Sequence, residues 1–246
     1  MPHRILNLDE VAEYLHLGKA DVERLVKDRE IPFERRGDRV VFRRSEMDAW
    51  ASQRILGFTG RRLDEYDQRG SEATARVLEN QAIIPLMMRP EWVEPALTAK
   101  TKASVLRQMA ALAGRTGQVC DEAELVASLE AREALCSTAV PGGLALLHPR
   151  HHLPYMFESS FIVLGRSIQE VFFGAPDGQE TRLFFLICCQ DDRLHLHTLA
   201  RLCLLAQKSE VVAELLAAAD AESMFESLVA AERAVIEKRG RQQGAG

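Results

Sequence analysis

The run Leu183-Phe184-Phe185-Leu186-Ile187 is apolar at every position, so as a strand it must be covered on both faces. Such a strand belongs in the middle of a sheet with helices on either side, not at an edge or on a wet face. It lies where helical and strand-like patterns alternate. Lys100–Ala113 carries Val105, Met109 and Leu112 at helical spacing, and Glu122–Ala134 carries Leu125 and Leu129. Gly143–Leu147, Phe161–Leu164 and Arg182–Cys189 read as buried strands. Leu196, Leu199, Ala200 and Cys203 mark an amphipathic helix, and further helices are expected near Ser209–Ala219 and Ala221–Lys238. Helices interspersed with fully buried strands predict an α/β domain, a mixed sheet sandwiched between helical layers.

Composition removes the competing classes. Of 246 residues, 47% are hydrophobic and 27% charged, which excludes a disordered or collagen-like chain. No apolar run approaches the roughly 18 residues of a membrane-spanning helix. Met1-Pro2-His3-Arg4, followed by Asp9 and Glu10, lacks the apolar core of a secretory signal, so a cytoplasmic protein without membrane insertion is expected. Cys120, Cys136, Cys188, Cys189 and Cys203 have no metal-ligand spacing and no disulfide framework; Cys188 and Cys189, in an apolar run, read as reduced, buried and inert. The net charge of −5 gives no global basic field, although a basic module can hide inside that average.

Patterning divides the chain into residues 1–54, dense in charge, a polar connector over 55–80, and a domain over 81–240. In the first part Asn7 and Glu10 have capping-box spacing, with Leu8, Val11, Ala12 and Leu15 following at helical period. His16-Leu17-Gly18 breaks that helix, and a second runs from Lys19 to Asp28. Pro32 ends helical possibility; Phe33–Arg35 and Val40–Arg43 flank a turn at Arg36-Gly37-Asp38, and a last helix carries Ser45–Trp50. Leu8-x-Glu10-Val11-Ala12-x-x-Leu15, Val22-x-x-Leu25-Val26, Ile31-Pro32, Gly37-x-Arg39-x-x-Phe42 and Arg44-Ser45-Glu46-x-x-x-Trp50, in that order, resemble the excisionase-type winged helix-turn-helix family. The resemblance implies duplex DNA as a partner, with the second helix in the major groove and the hairpin wing on phosphates. Lys19, Arg24, Lys27, Arg35, Arg36, Arg39 and Arg43 are the candidate DNA contacts. Eleven acidic residues balance eleven basic ones in the module, and Asp21 and Glu23 on the second helix oppose a phosphate backbone, so protein docking competes as a reading.

Outside this module the histidines form two clusters, His148 with His151 and His152, and His195 with His197. They admit a metal site, incidental surface histidines, or a nucleophile with a helper. No cysteine or carboxylate stands at ligand spacing, so neither metal nor other cofactor is expected. A neutral imidazole is a good nucleophile near pH 7 and forms a labile bond to phosphorus. A guanidinium clamps phosphoryl oxygens, and a second imidazole can hydrogen-bond them or fix the nucleophile's tautomer.

Residues 97–237 resemble the enzyme IIA domain of the fructose/mannitol/nitrogen class of the bacterial phosphotransferase system. The resemblance rests on Lys100-Thr101-Lys102-x-x-Val105-Leu106, Arg132–Ala139, Gly143–His148, Phe173–Gly178 and His195–Ala200. It implies His148 as phosphoryl acceptor, His195 as the second site histidine and Arg132 as the site arginine, with an HPr-like phosphocarrier protein as donor. The family's proline before the acceptor is Leu147 here, and Pro149 follows instead. Ser137 and Thr138 are candidate hydroxyl donors or turn residues, His197 a helix-surface or packing residue, and His151 and His152 exposed loop. Two functions follow from these resemblances. One is a regulator in which phosphorylation of the IIA-like domain modulates the N-terminal module. The other is a relay passing phosphate to a sugar-specific IIB protein. A regulatory target protein is the remaining candidate partner.

Overall fold

A reciprocal cap starts the first helix. The Asn7 side chain accepts from the Glu10 amide at 3.0 Å, and the Glu10 carboxylate accepts from the Asn7 amide at 2.7 Å. The computed structural model describes residues 5–37, 39–60, 63–64, 66–68, 82–150, 155–208 and 210–243. Its N-terminal part runs β1 (Ile5–Leu6), α1 (Leu8–Tyr14), α2 (Lys19–Lys27), β2 (Glu34–Arg36), β3 (Arg39–Arg43) and α3 (Arg44–Leu56). The strands form an antiparallel sheet in the order β1-β3-β2, with Gly37 at φ +61° turning the β2–β3 hairpin. The helix expected over Ser45–Trp50 is longer and runs past residue 54.

The remainder comprises α4 (Ile84–Met87), β4 (Val93–Leu97), α5 (Lys102–Arg115), α6 (Glu122–Glu133), β5 (Ala139–Val140), β6 (Leu144–Leu147), β7 (Phe161–Val171), β8 (Thr181–Cys188), α7 (Asp192–Lys208), α8 (Val211–Ala217) and α9 (Ala221–Gln243). Its sheet has the order β4-β7-β8-β6-β5 and is mixed: β4 is parallel to β7 and β6 to β8, while β7–β8 and β5–β6 are antiparallel. β8 is interior, as its apolar run requires. Leu183, Phe185 and Ile187 enter one core and Phe184, Leu186 and Cys188 the other. The edge strands β4 and β5 were not anticipated; β5 is too short to carry a period, and Pro95 interrupts β4. Among the described residues no helix is long and apolar enough to cross a membrane.

One of the two cores reaches beyond the IIA-like sheet. It is continuous from Ile162, Leu183 and Ile187 through Leu196, Leu199 and Cys203 to Val22, Phe42, Met47 and Ile55 of the N-terminal part. Because α3 packs on α7 from outside, every residue from His195 to Leu205 is buried. α7 is therefore covered all round rather than amphipathic and half wet, and its polar side chains need internal partners. His197, read as surface or packing, is fully buried with Nδ1 3.8 Å from Asp67 Oδ1. Cys188, Cys189 and Cys203 are buried, and burial raises all three thiol pKa values.

The connector is expected to be solvated and partly helical; its described residues are helical but largely buried. Residues 63–64 and 66–68 are helical, and Leu63, Tyr66 and Asp67 are buried. Asp67 accepts at 3.1 Å from Nε of Arg201, a fully buried α7 arginine whose Nη1 donates to Glu232 of α9 at 3.0 Å. Glu232 also accepts from the Ile83 and Ile84 amides at the start of α4, at 2.8 and 2.9 Å. Burial raises the Glu232 pKa against the opposing pull of these donors. The charges of residues 55–80 concealed this segment's role, because Asp67 counts as polar in composition yet is an internal counter-ion. Residues 69–81 lie outside the described residues.

Replacing Arg201 by Met should strand two buried carboxylates and cost about 3–5 kcal/mol. Urea unfolding measures the loss; Arg201→Met/Asp67→Asn/Glu232→Gln, which removes the orphaned charges, should recover much of it.

Candidate functional site

β6 and β8 run parallel in register, Leu147 opposite Leu186, so their C-terminal ends open on the same edge of the sheet. His148 follows β6 directly. β8 leads through Asp191, whose side chain accepts from the Leu194 amide at 3.0 Å, into the first turn of α7, which holds His195. Arg132 comes from the last turn of α6. The structure thus brings the three candidate residues together: the rings of His148 and His195 lie 4.9 Å apart between centroids, and Arg132 Nε donates to His148 Nε2 at 2.9 Å. No proline precedes His148, but Leu147 is held by the β8 ladder and is buried, so strand pairing fixes the backbone there.

The imidazole tautomer follows from its partners. His148 Nδ1 stands 2.9 Å from the Leu146 carbonyl oxygen, which only accepts, whereas the Arg132 Nε–H only donates. The neutral ring satisfies both with its proton on Nδ1 and its lone pair on Nε2. Nε2 therefore carries the free lone pair and points at the guanidinium. Arg132 Nη1 donates to the Cys136 carbonyl at 3.1 Å, while Nη2 is buried and has no hydrogen-bond partner among the described residues. A buried guanidinium donor without an acceptor is suited to an incoming anion. Next to it, Glu133 receives Lys102 at 2.8 Å and the Thr138 hydroxyl at 2.6 Å, which locks the end of α6. Thr138 is engaged there and Ser137 donates to the Phe173 carbonyl at 2.8 Å, so both hydroxyls serve the chain's turn. His151 and His152 lie outside the described residues. Among the described residues no group of three or more His, Cys, Asp or Glu side chains is placed to hold a metal ion.

Sequence reasoning missed what lies over these residues. α3 of the N-terminal module crosses the site, with the buried Ser52 hydroxyl 3.4 Å from His195 Nε2. Arg44, the neighbour in sequence of the hairpin's Arg43, turns inward and donates twice to Asp192, from Nε at 2.7 Å and from Nη2. Ala49, Trp50 and Gln53 form one wall of a cleft of about 330 Å³ whose other wall is Arg132, Leu135 and Cys136. Beneath α3, His148 is 2% exposed and His195 fully buried. No periodicity announces a contact between two separately patterned domains.

The seven DNA candidates are all exposed, on surfaces α3 does not use for docking. Lys19 pairs with Asp9 at 2.8 Å, Arg24 with Asp21 at 3.1 Å, and both Arg36 and Arg43 with Glu34. Lys27, Arg35 and Arg39 enter no ion pair among the described residues.

One carboxyl of the docked face is chemically distinctive. Burial, reinforced by the charge of Asp192, pushes the Asp48 pKa up to about 8, and the Tyr14 hydroxyl donates to its Oδ1. The folded chain therefore retains a proton that the unfolded chain gives up near 3.8, and stability falls as pH rises through that window. Arg44, bound to Asp192, partly offsets the repulsion. Asp48→Asn keeps the acceptor for Tyr14 and removes the titration. Its melting temperature should exceed the wild type's by several degrees at pH 8.5, at roughly 2–4 °C per kcal/mol, and by little at pH 4. A difference that does not vary with pH would show that Asp48 does not titrate in this range.

Residues 86–230 match the family model described as "Phosphoenolpyruvate-dependent sugar phosphotransferase system, EIIA 2", and residues 5–55 match a helix-turn-helix domain model. The "Nitrogen regulatory protein" of Bradyrhizobium diazoefficiens is 32% identical over 145 residues, covering 58% of this chain and 92% of that protein. Among solved structures, the nitrogen regulatory protein IIA-Ntr of Neisseria meningitidis aligns with a TM-score of 0.54 at 23% identity, over 60% of this chain and 99% of its own. A complex of enzyme IIA and phosphorylated enzyme IIB for mannitol from Escherichia coli aligns at 0.52 and 18% identity, over 58% of this chain and 97% of that one. These structural likenesses establish the shared fold.

Proposed function

Because the chain belongs to the EIIA type 2 family of the phosphoenolpyruvate-dependent sugar phosphotransferase system and carries a helix-turn-helix domain before it, we propose that it is a cytoplasmic phosphotransferase-linked regulator. In this reading the domains follow the division into 1–54, 55–80 and 81–240, with part of the connector built into the fold. His148 takes a phosphoryl group from an HPr-like phosphocarrier protein, and its phosphorylation modulates the DNA-binding activity of the N-terminal module. The observation that carries the reading is the pairing of His148 Nε2 with Arg132 Nε at 2.9 Å, beside an unpartnered Arg132 Nη2.

The chemistry follows from those atoms. The Nε2 lone pair attacks phosphorus as the bond from phosphorus to the donor breaks, the electron pair of that bond returning to the donor. The Nδ1 proton stays in place, its partial charge held by the Leu146 carbonyl oxygen. Arg132 exchanges its bond to Nε2 for bonds to the phosphoryl oxygens, balancing their charge in the transition state. His195, one ring away, supplies a further polar edge to the transferring group.

Incubation with enzyme I, phosphocarrier protein and labelled phosphoenolpyruvate should give one acid-labile, base-stable phosphoryl group in the wild type and none in His148→Ala. Arg132→Ala should fold and label at least tenfold more slowly, a loss of about 1.4 kcal/mol or more. Label on another residue, or full labelling of His148→Ala, removes the assignment. Onward transfer to a IIB protein would favour the relay reading.

Duplex DNA binding by the full chain should be weak and salt-sensitive, because four of the seven exposed cations already have carboxylate partners. Arg35→Ala and Arg39→Ala should each weaken it and lower the salt slope by about one. Anisotropy titrations at two salt concentrations read both effects. No binding at low salt to any fragment of the native upstream region would make the module a protein-docking element.

A further inference from the structure

A macromolecular donor must bring its phosphorus within bonding distance of His148 Nε2, yet this imidazole is 2% exposed and its neighbour His195 is fully buried. α3 lies against the partners of His148: Ser52 lies on His195, and Ala49, Trp50 and Gln53 face Arg132 across the cleft. We propose that α3 is a built-in stopper on the surface where the phosphocarrier lands, so that docking of the N-terminal module and phosphoryl transfer to His148 exclude each other. Its significance for regulation rests on the reading of His148 as phosphoryl acceptor.

The contact is equipped to release. α3 meets the C-terminal domain partly through polar groups, and the Arg44–Asp192 pair is a charged tie between α3 and the very start of the histidine-bearing helix. Arg44 is 27% exposed and Asp192 7%, so water and an acidic or basic partner surface can reach one end of the tie. Replacing the Arg44 guanidinium by a carboxylate therefore sets a negative charge against Asp192 across the seam, which pushes α3 away. The seven DNA-candidate cations sit elsewhere on the module and are exposed in the docked form. What changes on opening is access to the histidines. A transfer that proceeds only from the open form has a rate scaled by the open population, and anything that favours opening speeds it in proportion.

The test uses the full-length chain. Arg44→Asp breaks the tie by charge reversal, and Arg44→Asp/Asp192→Arg restores it in the opposite sense. Ala49→Lys opens the seam by a different route, setting a second cation against Arg132, and serves if Arg44→Asp does not fold. Two quantities are read for each protein: the initial rate of labelling from the phosphorylated phosphocarrier, and carbethoxylation of His148 and His195 by diethylpyrocarbonate, located by mass spectrometry. Arg44→Asp and Ala49→Lys should each raise both by about tenfold, and the charge-swapped double variant should return both to the wild-type level. If no variant accepts a phosphoryl group, the acceptor reading of His148 fails, and carbethoxylation alone judges the stopper. Unchanged carbethoxylation in folded Arg44→Asp and Ala49→Lys overturns the stopper, as does a labelling rate that stays at wild type while reactivity rises.

Discussion

A guanidinium with no access to water sits between two carboxylates at the centre of this molecule, and three separate stretches of chain are held by it. Arg201 projects from α7, Asp67 from the segment that follows the N-terminal module, and Glu232 from α9, which in turn caps α4. Desolvating such a trio is expensive, and the expense is recovered only when all its members are in position together. The arrangement therefore works as a gauge of correct assembly. The connector cannot dock on α7 in a shifted register without leaving an uncompensated charge inside.

The same helix serves two purposes along its length. Its first turn supplies His195 and its middle supplies Arg201, so the site and the internal ion trio share one rigid rod. On its inner side it closes the core beneath β8; on its outer side it receives α3. Polar residues on every side of a buried helix are tolerable only because each neighbouring layer brings a matching group: Asp67 to Arg201 and His197, Ser52 to His195, Arg44 to Asp192.

Much of the architecture was legible in the sequence because it follows from local pattern. The two-faced apolar run fixed β8 at the interior of a mixed sheet, the capping box fixed the start of α1, and the ordered motifs identified both domain families. His148, His195 and Arg132 could be named from their motifs, and their convergence follows from the parallel pairing of β6 with β8. What could not be read was the seam. Arg44 adjoins a basic hairpin in sequence and Asp67 belongs to a charged connector, and only tertiary contact turns both inward. Periodicity reports whether a helix has an apolar stripe, not whether a second domain will cover its remaining side; for that reason α7 reads as amphipathic in the sequence although it is covered all round, and of the two readings of His197 its burial selects packing.

The merged core also bears on how such a fusion can change over generations. Genes gain and lose terminal domains readily when each half folds around its own interior. Here Val22, Phe42, Met47 and Ile55 of the N-terminal part belong to the same packed cluster as Leu196, Leu199 and Cys203 of α7. Deleting the module would uncover the apolar face of α7 that these residues cover. The joining of the two parts behaves as a ratchet: once their interiors had grown together, drift could vary what the module recognises on its outer surface, while the union itself became hard to reverse.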